Sequence, residues 1–440
     1  MVHHTISASS SSAPRASKRI TVMNRLFRFF CCWAAPKQKA PPWGAAHHAK
    51  RRSVGAILFV ACIVGMLASC AIRPSSPPPS TVPSAPPDAP MPPMVDPGDA
   101  APLPPARQSS RSRWVPVRWA ELPGFEQDAM DEAWNAFTKS CERPGRTFAN
   151  LCSEVRRLSL GTPEEQRLWL RARLQPYRVE PLAGPNAQGA EGLLTSYFEP
   201  VYEASRVARP GYSAPIYRVP RTLGQRKPWY TRQEMDVLPE ARAQLAGQEL
   251  VWLADPLDAL ILQIQGSGRV HVLEADGSQR MVRLAFAGTN DHPYRSPGKW
   301  LIDQGLLRGD VTWPGIRNTL AANPNRLQEF LWSNPRMVFF REEALSPLDE
   351  KFGPRGAQGV PLTPGRSIAV DPQSIPYGTP VWLASQGPVA NLQRLVMAQD
   401  TGSAIVGAVR ADYFAGWGAE AGDFAGRMKQ QLRLWVLWPR

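Results

Sequence analysis

The sequence predicts a mainly β protein that ends in a small closed barrel and carries a few helices before it. Three observations point there. Residues 346–440 alternate short apolar runs ("RSIAVDP", "TPVWLASQ", "QRLVMAQDTGSAI", "LRLWVLWP") with Gly- and Pro-bearing turns, and helix-forming stretches are sparse. Strand-like chain also occurs upstream, in "GLLTSYFEPVYEASRV" and "APIYRVP". Clear helical periodicity is confined to short stretches, the first of them just after a long Pro-rich segment.

The chain has 440 residues and a formal net charge of +14, which at first suggests a nucleic-acid binder. The location of the charge removes that reading. Residues 1–69 hold ten of the 51 basic residues and none of the 37 acidic ones, leaving 41 basic against 37 acidic. The excess therefore belongs to a targeting segment. Lys50, Arg51 and Arg52 form a positive start, followed by the apolar "VGAILFVACIVGMLAS" (54–69). This run is short for a membrane span and reads as a signal peptide over 1–69. Its end, Leu67-Ala68-Ser69-Cys70, resembles a bacterial lipobox, in which the cysteine is lipidated. Ala71 at the next position implies the outer membrane of a Gram-negative bacterium. The 49 residues before Lys50 are long for such a signal, and Met23 is a candidate later start.

Residues 70–112 read as a tether rich in Pro, Ser and Ala that cannot bury a core. The first helix is expected over "GFEQDAMDEAWNAFTKSC", where Met130, Trp134, Phe137 and Cys141 share a face. "TPEEQRLWLRARL" opens with a capping box from Thr162 to Glu165 and Pro163 at the first helical position. Of six cysteines, Cys31, Cys32 and Cys62 fall within the signal and Cys70 is the lipidation candidate. Cys141 and Cys152 remain, as one disulfide in an oxidising compartment or as two buried thiols; the even remainder favours the bridge.

In the middle, "LILQIQGSGRVHVL" (260–273) reads as strand, tight turn, strand. Ser296-Pro297 marks a helix start, and further helices are expected near 313–321 and 324–332. Only His271 and His292 lie outside the targeting segment, so a His-based metal site or a Ser–His hydrolase is disfavoured. His292 reads as a structural polar residue. Gly266 and Gly268 suit a turn, and no phosphate-loop Lys follows them.

Three aspartates punctuate the last segment: Asp371 in "IAVDPQSIPYGTPVWL", Asp400 in "AQDTGSAI" and Asp412 in "RADYFAGWG". Taken alone, Asp371 is a turn residue. Asp400 is either a catalytic partner or an acceptor for backbone N–H groups in its turn. Asp412 is a proton donor, a cap or an ion-pair partner of Arg410. These stretches resemble the three-aspartate domain of the MltA family of lytic murein transglycosylases. "LTSYFEP" (194–200), "IQGSGRV" (264–270), "FAGTNDHPYRSPGKWLIDQG" (286–305) and "NPRMVFF" (334–340) are similar to that family in the same order.

The resemblance implies a double-psi β-barrel over 113–200 plus 345–440, with a second β-rich domain, 201–344, inserted and a glycan groove between them. It implies cleavage of the β-1,4 bond between N-acetylmuramic acid and N-acetylglucosamine without water, leaving a 1,6-anhydro end. Asp412 matches the family's catalytic position, with Asp400, Asp371 and Glu199 as possible supporting carboxyls. Thr195, Tyr197, Gln265, Ser267, Tyr294 and Arg295 lie in matched motifs, as sugar contacts or as partners of buried backbone. One carboxyl suffices chemically when an internal hydroxyl replaces water, provided that its pKa is raised. Glu199 tempers this: facing Asp412 across the groove, it would make a two-carboxylate polysaccharide hydrolase. A non-catalytic cell-wall-binding module is the third alternative. The expected partners are peptidoglycan strands, the outer membrane through a lipid anchor, and, as a further candidate, cell-wall enzyme complexes. A periplasmic location follows. No cofactor, metal or nucleic acid is implied.

Overall fold

The structure is a computed structural model that describes residues 91–98, 100–182 and 190–440. The segment expected to be a signal peptide, Cys70 and residues 71–90 of the expected tether lie outside the described residues.

Fifteen strands form two sheets among the described residues. In chain order they are β1 (Arg107–Gln108), β2 (Ser112–Pro116), β3 (Leu174–Pro181), β4 (Gly192–Glu199), β5 (Val201–Ser205), β6 (Ala214–Tyr217), β7 (Glu249–Leu253), β8 (Ser267–Leu273), β9 (Gln279–Thr289), β10 (Val338–Ala344), β11 (Ser367–Val370), β12 (Pro380–Ser385), β13 (Leu392–Asp400), β14 (Arg410–Trp417) and β15 (Lys429–Pro439). The first sheet runs β1-β2-β3-β15-β12-β13-β11-β14-β4, and β4 pairs again with β15. Six strands therefore close into a ring, as expected. β15 makes closure possible by its length: Lys429–Leu432 pair with β4, and Trp435–Pro439 pair with β3. Two pairings in the ring are parallel, β11 with β13 and β14 with β4.

Period-two alternation explains the packing. On β12, Val381 and Leu383 join the barrel interior with Val396, Val370, Ala411 and Val436. Trp382 and Ala384 point the other way, into a layer made by the N-terminal helices. All six residues of β12 are buried, which is why "PVWLAS" is an unbroken apolar run. The helix Met130–Ser140 places Met130, Trp134 and Phe137 against this outer face, and Pro163–Arg173 adds Trp169. The Thr162–Glu165 capping box forms in both directions. Cys141 and Cys152 are disulfide-bonded, with Cα atoms 5.4 Å apart.

The described end of the expected tether is held against the fold. Met91 and Met94 pack against the helical layer, and Arg173 donates to the carbonyls of Pro92 and Pro93. Apolar anchors at these positions, together with the β1–β2 pairing, hold chain that composition alone reads as unattached.

The second sheet, β10-β9-β8-β5-β7-β6, is built wholly from residues 201–344. Its core includes Ile216, Val251, Val270, Leu284 and Phe340. Here one expectation fails. Residues Pro256–Gln265 are a helix, and only Ser267–Leu273 form a strand. Asp255 caps the helix at Leu257 N–H, Pro256 takes the first position, and Gly266 ends it at φ +83°. Leu257, Leu260, Ile261 and Leu262 are all buried, so a helix covered on nearly every side mimics an apolar strand. The helices Pro297–Asp303, Trp313–Ala322 and Leu327–Trp332 pack beside it, as their Pro signals predict.

The chain crosses between the sheets at Glu199–Pro200 and returns through 345–366. One cluster fastens both crossings. Glu199 is completely buried and pairs with Arg269 at 2.8 Å and Arg283 at 2.7 Å. The same guanidiniums donate to the carbonyls of Glu350 and Phe352. Arg269 also lies 3.8 Å above the ring of Trp417 at the end of β14.

Candidate active site

A cleft of about 880 Å³ runs between the barrel and the second sheet. Asp412 and Asp400 both line it. β14 and β4 run parallel and bring Asp412 into register with Thr195. Thr195 Oγ1 donates to Asp412 Oδ1. Arg410 in turn donates to Thr195 Oγ1 at 2.8 Å. Arg410 and Asp412 form no direct ion pair within 4.0 Å; the guanidinium reaches the hydroxyl instead. Asp412 Oδ2 has no hydrogen-bond partner among the described residues.

Asp412 is half-buried: part of its surface meets the cleft, while protein packs densely around the rest. That packing pushes its carboxyl above the ordinary range; the Thr195 hydrogen bond and the charge of Arg410 pull the other way and are outweighed. Asp400 stands at the end of β13. It accepts from the Tyr197 hydroxyl at 2.9 Å and from Ala357 N–H at 3.0 Å. Burial raises this carboxyl too, and the charge of Asp412 adds to the rise. The phenol of Tyr197 is pushed far up by burial and by Asp400, so it stays a donor.

The other two carboxyls do not join them. Asp371 is buried away from the cleft, accepting from Gly407 N–H at 2.9 Å and Gln373 N–H at 3.0 Å, with Arg111 at 3.3 Å. It is a turn acceptor. Glu199 is a correction of more weight. Its two arginine partners hold it in the interior between the crossings, so it is not a second carboxylate across from Asp412.

Of the sugar-contact candidates, Thr195, Tyr197, Gln265, Ser267 and Tyr294 line the cleft. Gln265 Oε1 accepts from Phe198 N–H at 3.1 Å, which leaves its amide N–H groups for the cleft. Arg295 is exposed outside the lining; only its backbone N–H is engaged, with Asn334. His292 pairs with the Trp229 carbonyl at 2.8 Å, a structural role as expected. Sequence reasoning missed Gln263, Asn334 and Arg336 as lining residues. Asn334 and Arg336 lie in the "NPRMVFF" stretch, so a signal was present. Gln263 sits on the helix Pro256–Gln265, whose apolar run mimics a strand. No group of three or more His, Cys, Asp or Glu side chains suited to a metal occurs among the described residues.

Two carboxyls raised by burial, set in a cleft lined in part by hydroxyl and amide groups, fit an acid–base enzyme acting on a polar substrate. Comparison with known proteins narrows the class. A family profile described as the MltA specific insert domain matches residues 193–341, and one described as the 3D domain matches 366–438. Membrane-bound lytic murein transglycosylase A of Vibrio cholerae is 33% identical over 267 residues, covering 58% of this chain and 67% of that one. The Escherichia coli K12 protein of the same name is 34% identical over 257 residues, covering 55% and 64%. The chain thus spans about two thirds of these relatives.

Among solved structures, the lytic transglycosylase LtgG of Burkholderia pseudomallei is 42% identical. It covers 76% of this chain and 98% of its own, with a TM-score of 0.52. MltA of Neisseria gonorrhoeae is 28% identical, covering 77% and 96%, with a TM-score of 0.63. Escherichia coli MltA with bound chitohexaose is 25% identical, covering 77% and 93%, with a TM-score of 0.58. The chain belongs to the MltA family of lytic murein transglycosylases, and so is a peptidoglycan-cleaving enzyme of lyase type.

Proposed function

We propose that Asp412 alone serves as acid and then base in non-hydrolytic cleavage of the bond between N-acetylmuramic acid and N-acetylglucosamine. The observation that carries this is a carboxyl raised by burial yet open to the cleft, with one oxygen held by Thr195. Its Oδ2 carries the proton. Transfer to the glycosidic oxygen breaks the C1–O bond and leaves positive charge at C1 of the muramoyl ring. The Asp412 carboxylate now faces that charge and stabilises it. The 6-hydroxyl oxygen of the same sugar bonds to C1, and its proton passes to Asp412. The acid is restored, and no water is consumed. The Arg410–Thr195–Asp412 chain of hydrogen bonds supports the carboxylate during the interval between the two transfers.

The chitohexaose bound to the Escherichia coli relative supports a similar reading of the cleft as a β-1,4 glycan site. Gln265, Ser267 and Tyr294 would contact sugar from the second-sheet side, with Tyr197 held by Asp400 on the barrel side. Asp400 is a positioning residue: it fixes Tyr197 and the 354–359 loop. Its presence in the cleft is also what keeps a two-carboxylate hydrolase as the second reading. Mass spectrometry of products from purified sacculi separates the two. Anhydro-muramoyl ends are expected; free reducing ends would replace the first reading with the second. Asp412→Asn should lower kcat by ~10²–10⁴-fold while retaining glycan binding. A non-catalytic binding module would show no cleavage in either form.

The protein is a membrane-associated component of the Gram-negative cell envelope. We propose that it is anchored through lipid on Cys70 to the outer membrane and faces the periplasm. Among the described residues no helix is long and apolar enough to cross a membrane. Cys70→Ala should move the protein to the soluble fraction; a variant that stays with membranes would remove the lipid from this account.

A further inference from the structure

The barrel edge of the cleft carries two guanidiniums that the chemistry at Asp412 leaves unused. Arg143 lies two residues after Cys141, inside the loop closed by the disulfide. Arg355 lies on the 354–359 loop between the two sheets. Both line the cleft. Both end at the same residue, Gly359. Arg355 Nη1 donates to the Gly359 carbonyl at 3.2 Å. A Cβ placed on Gly359, whose φ is +84°, would sit 2.9 Å from Arg143 Nη1. No carboxylate lies within 4.0 Å of either guanidinium among the described residues. Asp349 feels the charge of Arg355 only from farther away.

Two like charges converging without an anion repel each other, and both are exposed to solvent. The backbone that carries them is nevertheless anchored. Gln358 Nε2 donates to the carbonyls of Ser140 and Arg143, tying the two loops together. Ala357 N–H donates to Asp400 Oδ1, so the same loop is fastened to the carboxyl beside the catalytic one. Gly356 approaches so closely that a Cβ there would meet the Gln399 carbonyl at 2.4 Å. The two loops that carry the pair are thus anchored to each other and to Asp400.

We propose that Arg143 and Arg355 form a carboxylate site that takes the peptide stem carried by the glycan strand. This rests on the reading of the cleft as a peptidoglycan site and specifies which form of the polymer it prefers. The stem is joined through an amide to the lactyl carboxyl of the muramoyl residue and bears free carboxylates beyond the sugar, whereas the lactyl carboxyl itself is uncharged while the amide is intact. Planar guanidiniums bind carboxylates through paired N–H donors, and two such groups side by side fit one carboxylate or two adjacent ones. An anion there also relieves the repulsion between them. Stem-bearing strands are therefore captured more readily than bare ones, and the capture weakens with salt.

The test compares two substrates, stem-bearing strands and the same strands stripped by an amidase, with the lactyl carboxylate that stripping exposes converted to its methylamide. The variant is Arg143→Gln with Arg355→Gln. For stem-bearing strands KM should rise about ten-fold with kcat nearly kept, the pattern of lost binding rather than lost chemistry. Stripped strands should show the parent's KM and kcat, which also reports on folding. The Lys pair, Arg143→Lys with Arg355→Lys, should recover part of the affinity. Raising salt should erase the parent's preference and leave the Gln variant unchanged. Equal KM shifts on both substrates, or no shift on either, would overturn the proposal. Free reducing ends from the parent would instead sink the Asp412 reading, while the discrimination between substrates would still be measured.

Discussion

Thr195 and Asp412 are register partners on two parallel strands, and the threonine hydroxyl donates to the aspartate carboxyl. The hydroxyl also accepts from Arg410, so its own hydrogen is committed to Asp412. This hydrogen bond favours the charged carboxylate and opposes the effect of burial.

Thr195→Val keeps the shape and removes the donor. The carboxyl of Asp412, already high, should rise further. A general acid works while protonated, so kcat/KM falls as pH rises through its pKa. In the variant that falling limb should move to higher pH by about one unit, since a hydrogen bond to a charged group contributes ~1.5–3 kcal/mol. The rate below the limb should drop as well, because the carboxylate left by the first transfer has lost its support. A limb that stays in place, read from pH–rate profiles of parent and variant, would separate Thr195 from the acid.

The same raised carboxyl has a consequence for stability. A group whose folded pKa lies above its unfolded value favours the fold fully below the unfolded pKa, near 3.9 for Asp. That contribution is lost as pH rises through the folded pKa. At neutral pH, Asp412 therefore weakens the fold. Asp412→Asn should melt at a higher temperature than the parent at pH 7 and at nearly the same temperature at pH 3.5. Melting curves at the two pH values check this; a variant less stable at pH 7 contradicts it.

Legibility in the sequence followed the range of the interactions involved. The unbroken run on β12 and the Thr162 capping box were readable because their causes are local: burial on both faces and a four-residue motif. The helix Pro256–Gln265 was not, because an element covered on nearly all sides loses the period that identifies it. Asp255-Pro256 before it and Gly266 after it were the missed boundary signals. β14 carries strand formers at Tyr413, Phe414 and Trp417, but Ala411, Ala415 and Gly416 interrupt the apolar alternation that marks a strand. Asp412, Thr195 and Gln265 were reached through motif resemblance. The fate of Glu199 could not be, because its partners lie 70 and 84 residues away in sequence. A carboxyl's role depends on who faces it, and that is a property of the fold.

The bond between Cys141 and Cys152 closes a short loop on the helical layer. In the loop-entropy model such a bridge contributes about 3 kcal/mol. Cys141→Ser with Cys152→Ser should lower the denaturation midpoint accordingly. It should also loosen Arg143 and hence affect stem-bearing strands more than stripped ones. Chemical denaturation gives the first quantity and substrate comparison the second.

Glu199 offers the sharpest separation between structure and chemistry. It is fully buried, and two guanidiniums surround it, each also bonded to carbonyls of the returning chain. Removing one member of such a cluster strands the charges of the others, at a cost of about 3–5 kcal/mol. Glu199→Gln should therefore cause a large loss of stability, greater than that from the disulfide. A carboxylate that took part in the reaction would, when neutralised, abolish turnover or change the product. Since Glu199 lies off the cleft, the folded fraction of Glu199→Gln at low temperature should still release anhydro ends. Its kcat per folded molecule should stay within about ten-fold of the parent. Calorimetry and product mass spectrometry on one preparation decide the matter. A stable but inactive Glu199→Gln would give Glu199 a part in the reaction.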